Sequence, residues 1–190
     1  MTGEGDAELD LVVRAREGED QAFAALLQRH KPALYGFVRR YVRDGDGAAD
    51  VVQESFIAAW RSLYRYDDRR SFGVWLRAIA LNKCRDRARR LAVRRFILGE
   101  NDDGSAEALA QHDLEPDGET SLVANEQRAT LQKAIDQLPA KLKESLLLTY
   151  FDDLTQKEAA DVLGVTVKTI ETRVYRARQR LAELLDRSAI

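Results

Sequence analysis

Apolar residues recur along this chain with a period near 3.6, the spacing that turns one helix face toward a core. Segments 9–16, 20–43, 48–63 and 72–91 carry the pattern, as do 123–137, 141–151, 156–163 and 167–186. No stretch shows the sustained alternation of a half-buried strand. Gly45 and Gly47 are expected to break the second helix from the third, and Pro139 the fifth from the sixth. Only 3 prolines and 11 glycines occur in 190 residues, so little else interrupts helices. The expected fold is all-α, built as two small helical domains without an internal repeat.

Charge divides the chain where the periodicity lapses. Residues 1–95 hold 19 basic and 14 acidic side chains. Residues 96–122 hold 8 acids and no Lys or Arg, together with Gly99, Gly104, Pro116 and Gly118. Residues 123–190 return to near balance, with 11 basic and 10 acidic side chains. The middle reads as an acidic linker, on composition alone a solvated tether. The expected organisation is a first domain at 8–93, a linker at 94–122 and a second domain at 123–187.

Composition excludes several classes of chemistry. The one cysteine, Cys84, allows neither an internal disulfide nor a thiolate metal cage. His30 and His112 stand in unlike contexts, so no histidine metal site and no cofactor are expected. No apolar run approaches the roughly 20 residues of a membrane span. Met1-Thr2-Gly3-Glu4 has no apolar core of a signal peptide. A cytoplasmic protein without membrane insertion is expected.

Three surfaces do not read as ordinary core or solvent. Arg77, Lys83, Arg85, Arg87, Arg89, Arg90, Arg94 and Arg95 fall within 19 residues, with Asp86 as the opposing acid. Helix-stabilising pairs at i±4 do not explain so many cations, and a polyanion is the better partner. On the helix at 48–63, Val52, Phe56, Ala59, Trp60 and Leu63 form the apolar face. A second stripe holds Asp50, Glu54, Ile57 and Arg61, flanked by Gln53. A solvated face accounts for its charges but not for Ile57, which suits a partner helix.

The third surface is a helix-turn-helix near the C-terminus. Thr155-Gln156-Lys157-Glu158 is a capping box that starts a helix, and Gly164 ends it. Thr166 can cap the next helix, whose Val167, Ile170, Val174, Ala177 and Leu181 form the core side. Lys168, Thr169, Thr172, Tyr175, Arg176 and Gln179 lie opposite, with Arg173, Arg178 and Arg180 on the flanks. A recognition helix presents such residues to base edges in the major groove, Lys168 and Arg176 suiting guanine and flanking arginines suiting phosphates.

In order and spacing these segments resemble an extracytoplasmic-function sigma factor, group IV of the sigma-70 family. Ala22-Phe23-Ala24-Ala25-Leu26-Leu27 with Tyr35 is similar to the family's first helix pair. Asp50-Val51-Val52-Gln53-Glu54-Ser55-Phe56-Ile57-Ala58-Ala59-Trp60 resembles its core-polymerase-binding helix, and the segment from Ser71-Phe72-Gly73-Val74-Trp75 to Asn82-Lys83-Cys84-Arg85-Asp86 its minus-ten helix. Leu138-Pro139, Tyr150-Phe151, Glu158-Ala159-Ala160-Asp161-Val162-Leu163-Gly164 and Arg173-Val174-Tyr175-Arg176-Ala177-Arg178 resemble its region 4.

The resemblance implies roles. Asp50, Gln53, Glu54, Ile57 and Arg61 would meet the β′ clamp helices of core RNA polymerase, and region 4 its β flap. Tyr64, Tyr66, Arg69 and Arg70 match the loop that holds a flipped-out base of the minus-ten element. Arg77, Asn82, Lys83, Arg85 and Arg89 would lie along that DNA. Lys168, Thr169, Thr172, Arg173, Tyr175 and Arg176 would face the minus-thirty-five element. The acidic linker would thread the polymerase as a nucleic-acid mimic; about 27 extended residues reach at most roughly 90–95 Å. An anti-sigma factor is the further partner implied, in an environmental or envelope stress response. Val167-Lys168-Thr169 departs from the commonest pattern, which has a small residue before the threonine, so the promoter sequence does not carry over.

Two rival functions remain. A free-standing helix-turn-helix regulator should bind duplex DNA by itself, and the near-neutral second part argues against it, because non-specific affinity comes from phosphate neutralisation. An enzyme using Asp67, Asp68 or the linker carboxylates lacks any base, nucleophile or metal placed beside them.

Overall fold

The structure, a computed structural model, describes residues 3–98, 122–152 and 154–188. It divides into two compact units, residues 1–112 and 113–190.

The first unit holds α1 (Gly3–Arg16), α2 (Asp20–Val42), α3 (Gly45–Ser62), a 3₁₀ turn (Leu63–Arg65) and α4 (Phe72–Leu98). Helix α2 packs against α1, α3 and α4, and α3 also lies along α4. Leu26, Leu34, Phe37 and Val38 of α2 supply the centre of the core. Val12 of α1, Val51 and Phe56 of α3, and Phe72, Leu76 and Leu81 of α4 complete it. Cys84 is buried there as a thiol.

The break between α2 and α3 departs from expectation. It is made by Arg43, left-handed at φ 68°, whose N–H returns to the Arg39 carbonyl. Asp44 then caps α3 by accepting from the Gly47 N–H at 3.1 Å. Gly45 and Gly47 stand inside the first turn of α3. Gly47 is needed for close approach instead: a Cβ would strike the Arg87 guanidinium and the Asp44 carboxylate, which pair at 2.7 Å.

Helix α4 also outruns its periodicity. The apolar pattern stops near Leu91, yet the helix continues to Leu98, so residues 94–98, expected in the linker, are helical. Its last turns are rich in Arg, Leu and Ala, which favour helix without needing a packed face. Leu91, Val93, Phe96, Ile97 and Leu98 are all exposed there. The acidic stretch from Gly99 to Ser121 lies outside the described residues.

The second unit holds α5 (Leu122–Asp136), α6 (Ala140–Leu146), a π turn (Leu147–Phe151), α7 (Gln156–Leu163) and α8 (Val167–Ser188). Helix α8 packs against α5, α6 and α7. Ile135, Leu138, Leu147, Leu148, Ala159, Ile170 and Ala177 are buried between them. Pro139 caps α6, as its position between two helical patterns implies. The single helix expected at 141–151 widens after Leu146. Thr149 Oγ1 donates to the Ser145 carbonyl at 2.8 Å, a bond of the kind that loosens and bends helices.

Two opposed effects meet at Gly47. Alanine favours a helix interior by up to about 1 kcal/mol, but here it separates Arg87 from Asp44, a charge-assisted bond of about 1.5–3 kcal/mol. Gly47→Ala is expected to destabilise the protein by about 1 kcal/mol in urea unfolding, and to cost less in an Arg87→Ala background. Equal costs in both backgrounds would show that the close approach is not the constraint.

Candidate nucleic-acid and partner interfaces

Helix α3 presents its stripe on the side away from the core. Asp50, Gln53, Ile57 and Arg61 are exposed, while Val51, Val52, Ser55, Phe56 and Ala59 face the core. Ile57 is 44% exposed. Glu54 is half-buried and reaches Lys83 of α4 at 3.5 Å. Trp60, assigned to the apolar face, sits instead at its rim: it is partly exposed and tilts against Phe23 at 4.7 Å. Leu63, expected on the same face, is buried where the 3₁₀ segment begins.

The two tyrosines of the following loop part company. Tyr64 is 71% exposed, with the Arg65 guanidinium 5.2 Å from its ring centre. Tyr66 is only 7% exposed and belongs to the core. Its ring stands edge-on to Phe72 at 5.8 Å and to Trp75 at 5.3 Å, and its hydroxyl donates to the Arg70 carbonyl at 2.5 Å. Burial pushes that hydroxyl's pKa up to about 12, so it stays a donor. Of the two rings, Tyr66 is taken up by the core and Tyr64 is open to solvent. At the loop tip Asp67 accepts from the Arg69 N–H at 3.1 Å and from its guanidinium at 2.6 Å. That pairing holds the Asp67 carboxyl down to about 2. Arg69 and Arg70 are both exposed.

Along α4 the cations are less solitary than their spacing suggests. Lys83 pairs with Glu54, Arg87 with Asp44, and Arg89 with Asp86 at 3.1 Å. Asn82 is exposed and its Oδ1 accepts from Arg85 at 3.3 Å. Arg77 and Arg85 are half-buried, whereas Arg90 and Arg94 are exposed. The pairs formed by Lys83 and Arg87 cross between elements far apart in sequence, which no local spacing rule detects.

In the second unit the cap of α7 is complete. Thr155 Oγ1 accepts from the Glu158 N–H at 3.2 Å, and Glu158 accepts from the Thr155 N–H at 2.9 Å. Gly164, at φ 64°, ends the helix in the left-handed conformation. Thr166 Oγ1 accepts from the Thr169 N–H at 3.2 Å and starts α8. Lys168, Thr172, Tyr175, Arg176 and Gln179 are exposed on one side of α8, with Thr169 and Arg173 half-buried. Thr166, Lys168, Thr169, Thr172, Arg173 and Arg176 line one shallow depression. Val167, expected on the core side, is exposed at the first position of α8, and Leu184 extends the buried stripe at the other end.

Residues 26–94 match the family model for sigma-70 region 2, and residues 128–181 match that for sigma-70 region 4. The chain belongs to the sigma-70 family. It is 37% identical over 182 residues to the RNA polymerase sigma factor CnrH of Cupriavidus metallidurans, covering 95% of each chain. It is 36% identical over 180 residues to the sigma factor NccH of Alcaligenes xylosoxydans xylosoxydans, again covering 95% of each. Among solved structures it is similar to CnrH in complex with the cytosolic domain of CnrY, with a TM-score of 0.69, 32% identity, and 95% and 97% of the two chains covered. It is also similar to RpoE of Bartonella quintana bound to the anti-sigma factor NepR, with a TM-score of 0.69, 27% identity, and 86% and 96% covered. The protein is thus an extracytoplasmic-function sigma factor that directs RNA polymerase to promoters and is not itself an enzyme. No helix among the described residues is long and apolar enough to cross a membrane.

One polar contact at the start of α4 was not legible from spacing. Glu8 of α1 accepts from the Phe72 N–H at 3.3 Å and meets His30 Nε2 at 2.7 Å. The His30 hydrogen bond holds the Glu8 carboxyl below its ordinary value of 4.5. A carboxyl with a depressed folded-state pKa contributes stability above its unfolded value and loses it as pH falls through the folded one. Glu8→Gln is expected to cost about 1 kcal/mol at neutral pH and to flatten the loss of stability below about pH 4.5. Urea titrations at several pH values check this; parallel curves for wild type and variant would contradict it.

Proposed function

We propose that this sigma factor uses several of its surfaces in turn. The α3 stripe of Asp50, Gln53, Glu54, Ile57 and Arg61 docks on the β′ clamp helices of core polymerase. Region 4 sits on the β flap, and α8 turns Lys168, Thr169, Thr172, Arg173, Tyr175 and Arg176 to the minus-thirty-five element. The loop with Tyr64, Arg69 and Arg70 takes an extruded base of the minus-ten element. Arg77, Asn82, Lys83, Arg85 and Arg89 follow the displaced strand. Opening costs a few kcal/mol per unstacked base, and stacking on an aromatic ring returns about 1–3 kcal/mol. The acidic stretch between the units occupies the polymerase channel that nascent RNA later fills.

The observation that carries this reading is Ile57, an exposed aliphatic among charges on a helix whose opposite face is already committed to the core. Partner surfaces of that kind have an apolar centre and a polar rim. Regulation follows from the relatives. CnrH was solved with the cytosolic domain of CnrY, and RpoE with the anti-sigma factor NepR. An anti-sigma factor of comparable reach holds this protein inactive in the cytoplasm until an environmental or envelope stress releases it.

Run-off transcription from a genomic fragment library, with purified core polymerase, tests the assignment. Wild-type protein is expected to create discrete start sites. Asp50→Arg and Ile57→Glu should each reduce them at least about tenfold, since they place a repulsive charge or a desolvated carboxylate at a packed contact. Lys168→Ala or Arg176→Ala should relax minus-thirty-five selectivity by about 1–3 kcal/mol. Wild-type initiation by both stripe variants would overturn the docking surface.

A further inference from the structure

Helix α1 lies before the segment matched to region 2, yet two of its polar side chains reach the loop that precedes α4 and the first residue of α4. Arg16 Nε donates to the Leu63 carbonyl at 3.1 Å, and its Nη2 donates to the Tyr66 carbonyl. The guanidinium also stands over the Tyr66 ring, 5.5 Å from its centre. Two turns earlier on the same helix, Glu8 accepts from the Phe72 N–H and is held by His30. The Glu8 and His30 side chains are both largely buried. Between these grips Tyr66 turns its hydroxyl onto the Arg70 carbonyl. One helix therefore fastens the loop at Leu63, at Tyr66 and at Phe72, leaving Tyr64 and residues 68–71 exposed.

We propose that α1 is a clamp on the base-capturing loop, with Arg16 and Glu8 as positioning residues that set minus-ten base preference without touching DNA. This rests on the loop assignment made above. The chemistry supports positioning over bulk stability. The Leu63 carbonyl also accepts from the Tyr66 N–H at 3.1 Å inside the 3₁₀ turn, so Arg16 is a second donor there, and a guanidinium presents donors in a fixed fork that sets two carbonyls at once. Selectivity between bases needs the receiving side chains held to within a fraction of an ångström. Polar bonds at both loop ends supply that, where apolar burial of Tyr66 and Phe72 alone would leave the intervening backbone free to shift.

The test measures holoenzyme binding to single-stranded minus-ten oligonucleotides carrying each of the four bases at each position. Core-polymerase affinity is measured in parallel. Arg16→Ala is expected to flatten base preference at one position by about fivefold or more, the scale of one base stack. Preferences elsewhere, and core affinity, should stay within about twofold. Glu8→Gln should flatten the same position, and Arg16→Lys, which keeps the charge and a donor, should restore part of the preference. An equal loss on all four bases, or no loss, would overturn the clamp. Should Arg16→Ala fail to bind core, Glu8→Gln and Arg16→Lys decide the outcome by the same criterion. Tyr64→Ala and Arg70→Ala separate the two levels. If neither alters base preference, the loop assignment itself falls. If they flatten it and the α1 variants do not, the clamp alone falls.

Discussion

The ring of Phe72 is wholly buried at the first position of α4, and the arrangement of the first unit follows from how that burial is achieved. His30 lies 5.2 Å from it, Trp75 5.5 Å and Tyr66 5.8 Å, all at tilted or edge-on angles. Such a cluster holds more than its buried area, because offset aromatic pairs add about 0.5–1.5 kcal/mol each. It also fixes direction. With Phe72 pinned, α4 can leave the core along only one path, and the chain before it must turn back over α1. Exposure of Tyr64 and burial of Tyr66 are two results of one turn.

Charge is distributed to the same end. A helix proposed to meet a polyanion needs cations on its surface, but unpaired like charges at helical spacing repel one another. On α4 the solution is to pair some of the cations at the flanks, Lys83 to Glu54 and Arg87 to Asp44. Those pairs tie α4 to α3 and to its cap, while Arg90 and Arg94 stay exposed. Gly47 belongs to this economy. Its missing side chain is the space through which the Arg87 guanidinium reaches Asp44.

The sequence made local structure legible and long-range structure much less so. Helix types, the Thr155–Glu158 cap, the turn at Gly164 and the Ile57 stripe all depend on residues within four or so positions of one another, the range over which periodicity and capping operate. Several of the departures involve partners far away. Tyr64 and Tyr66 are alike in composition, and only Phe72, Trp75 and Arg16 decide which is buried. Trp60 satisfies the helical period but is displaced to the rim, beside Phe23. Gly47 resembles a helix breaker until Arg87, 40 residues on, is placed beside it. The last turns of α4 escaped because periodicity reports packing, and those turns are helical without a packed face.

Region 4 illustrates why recognition and affinity can be assigned to different molecules. Its helix-turn-helix is sharply specified, with both α7 and α8 capped by threonines and the turn set by a left-handed glycine. Yet residues 123–190 carry 11 basic against 10 acidic side chains. Affinity for duplex DNA comes largely from phosphate neutralisation and counterion release, with discrimination added by base contacts. A reading head that is rigid but nearly neutral can therefore distinguish sequences only after something else has brought the duplex to it. A sigma factor has such a source of affinity in the polymerase it directs. On the proposed role of α8, low charge on the reading head is then a means of specificity, since non-specific affinity for the many non-promoter sites rises with phosphate neutralisation.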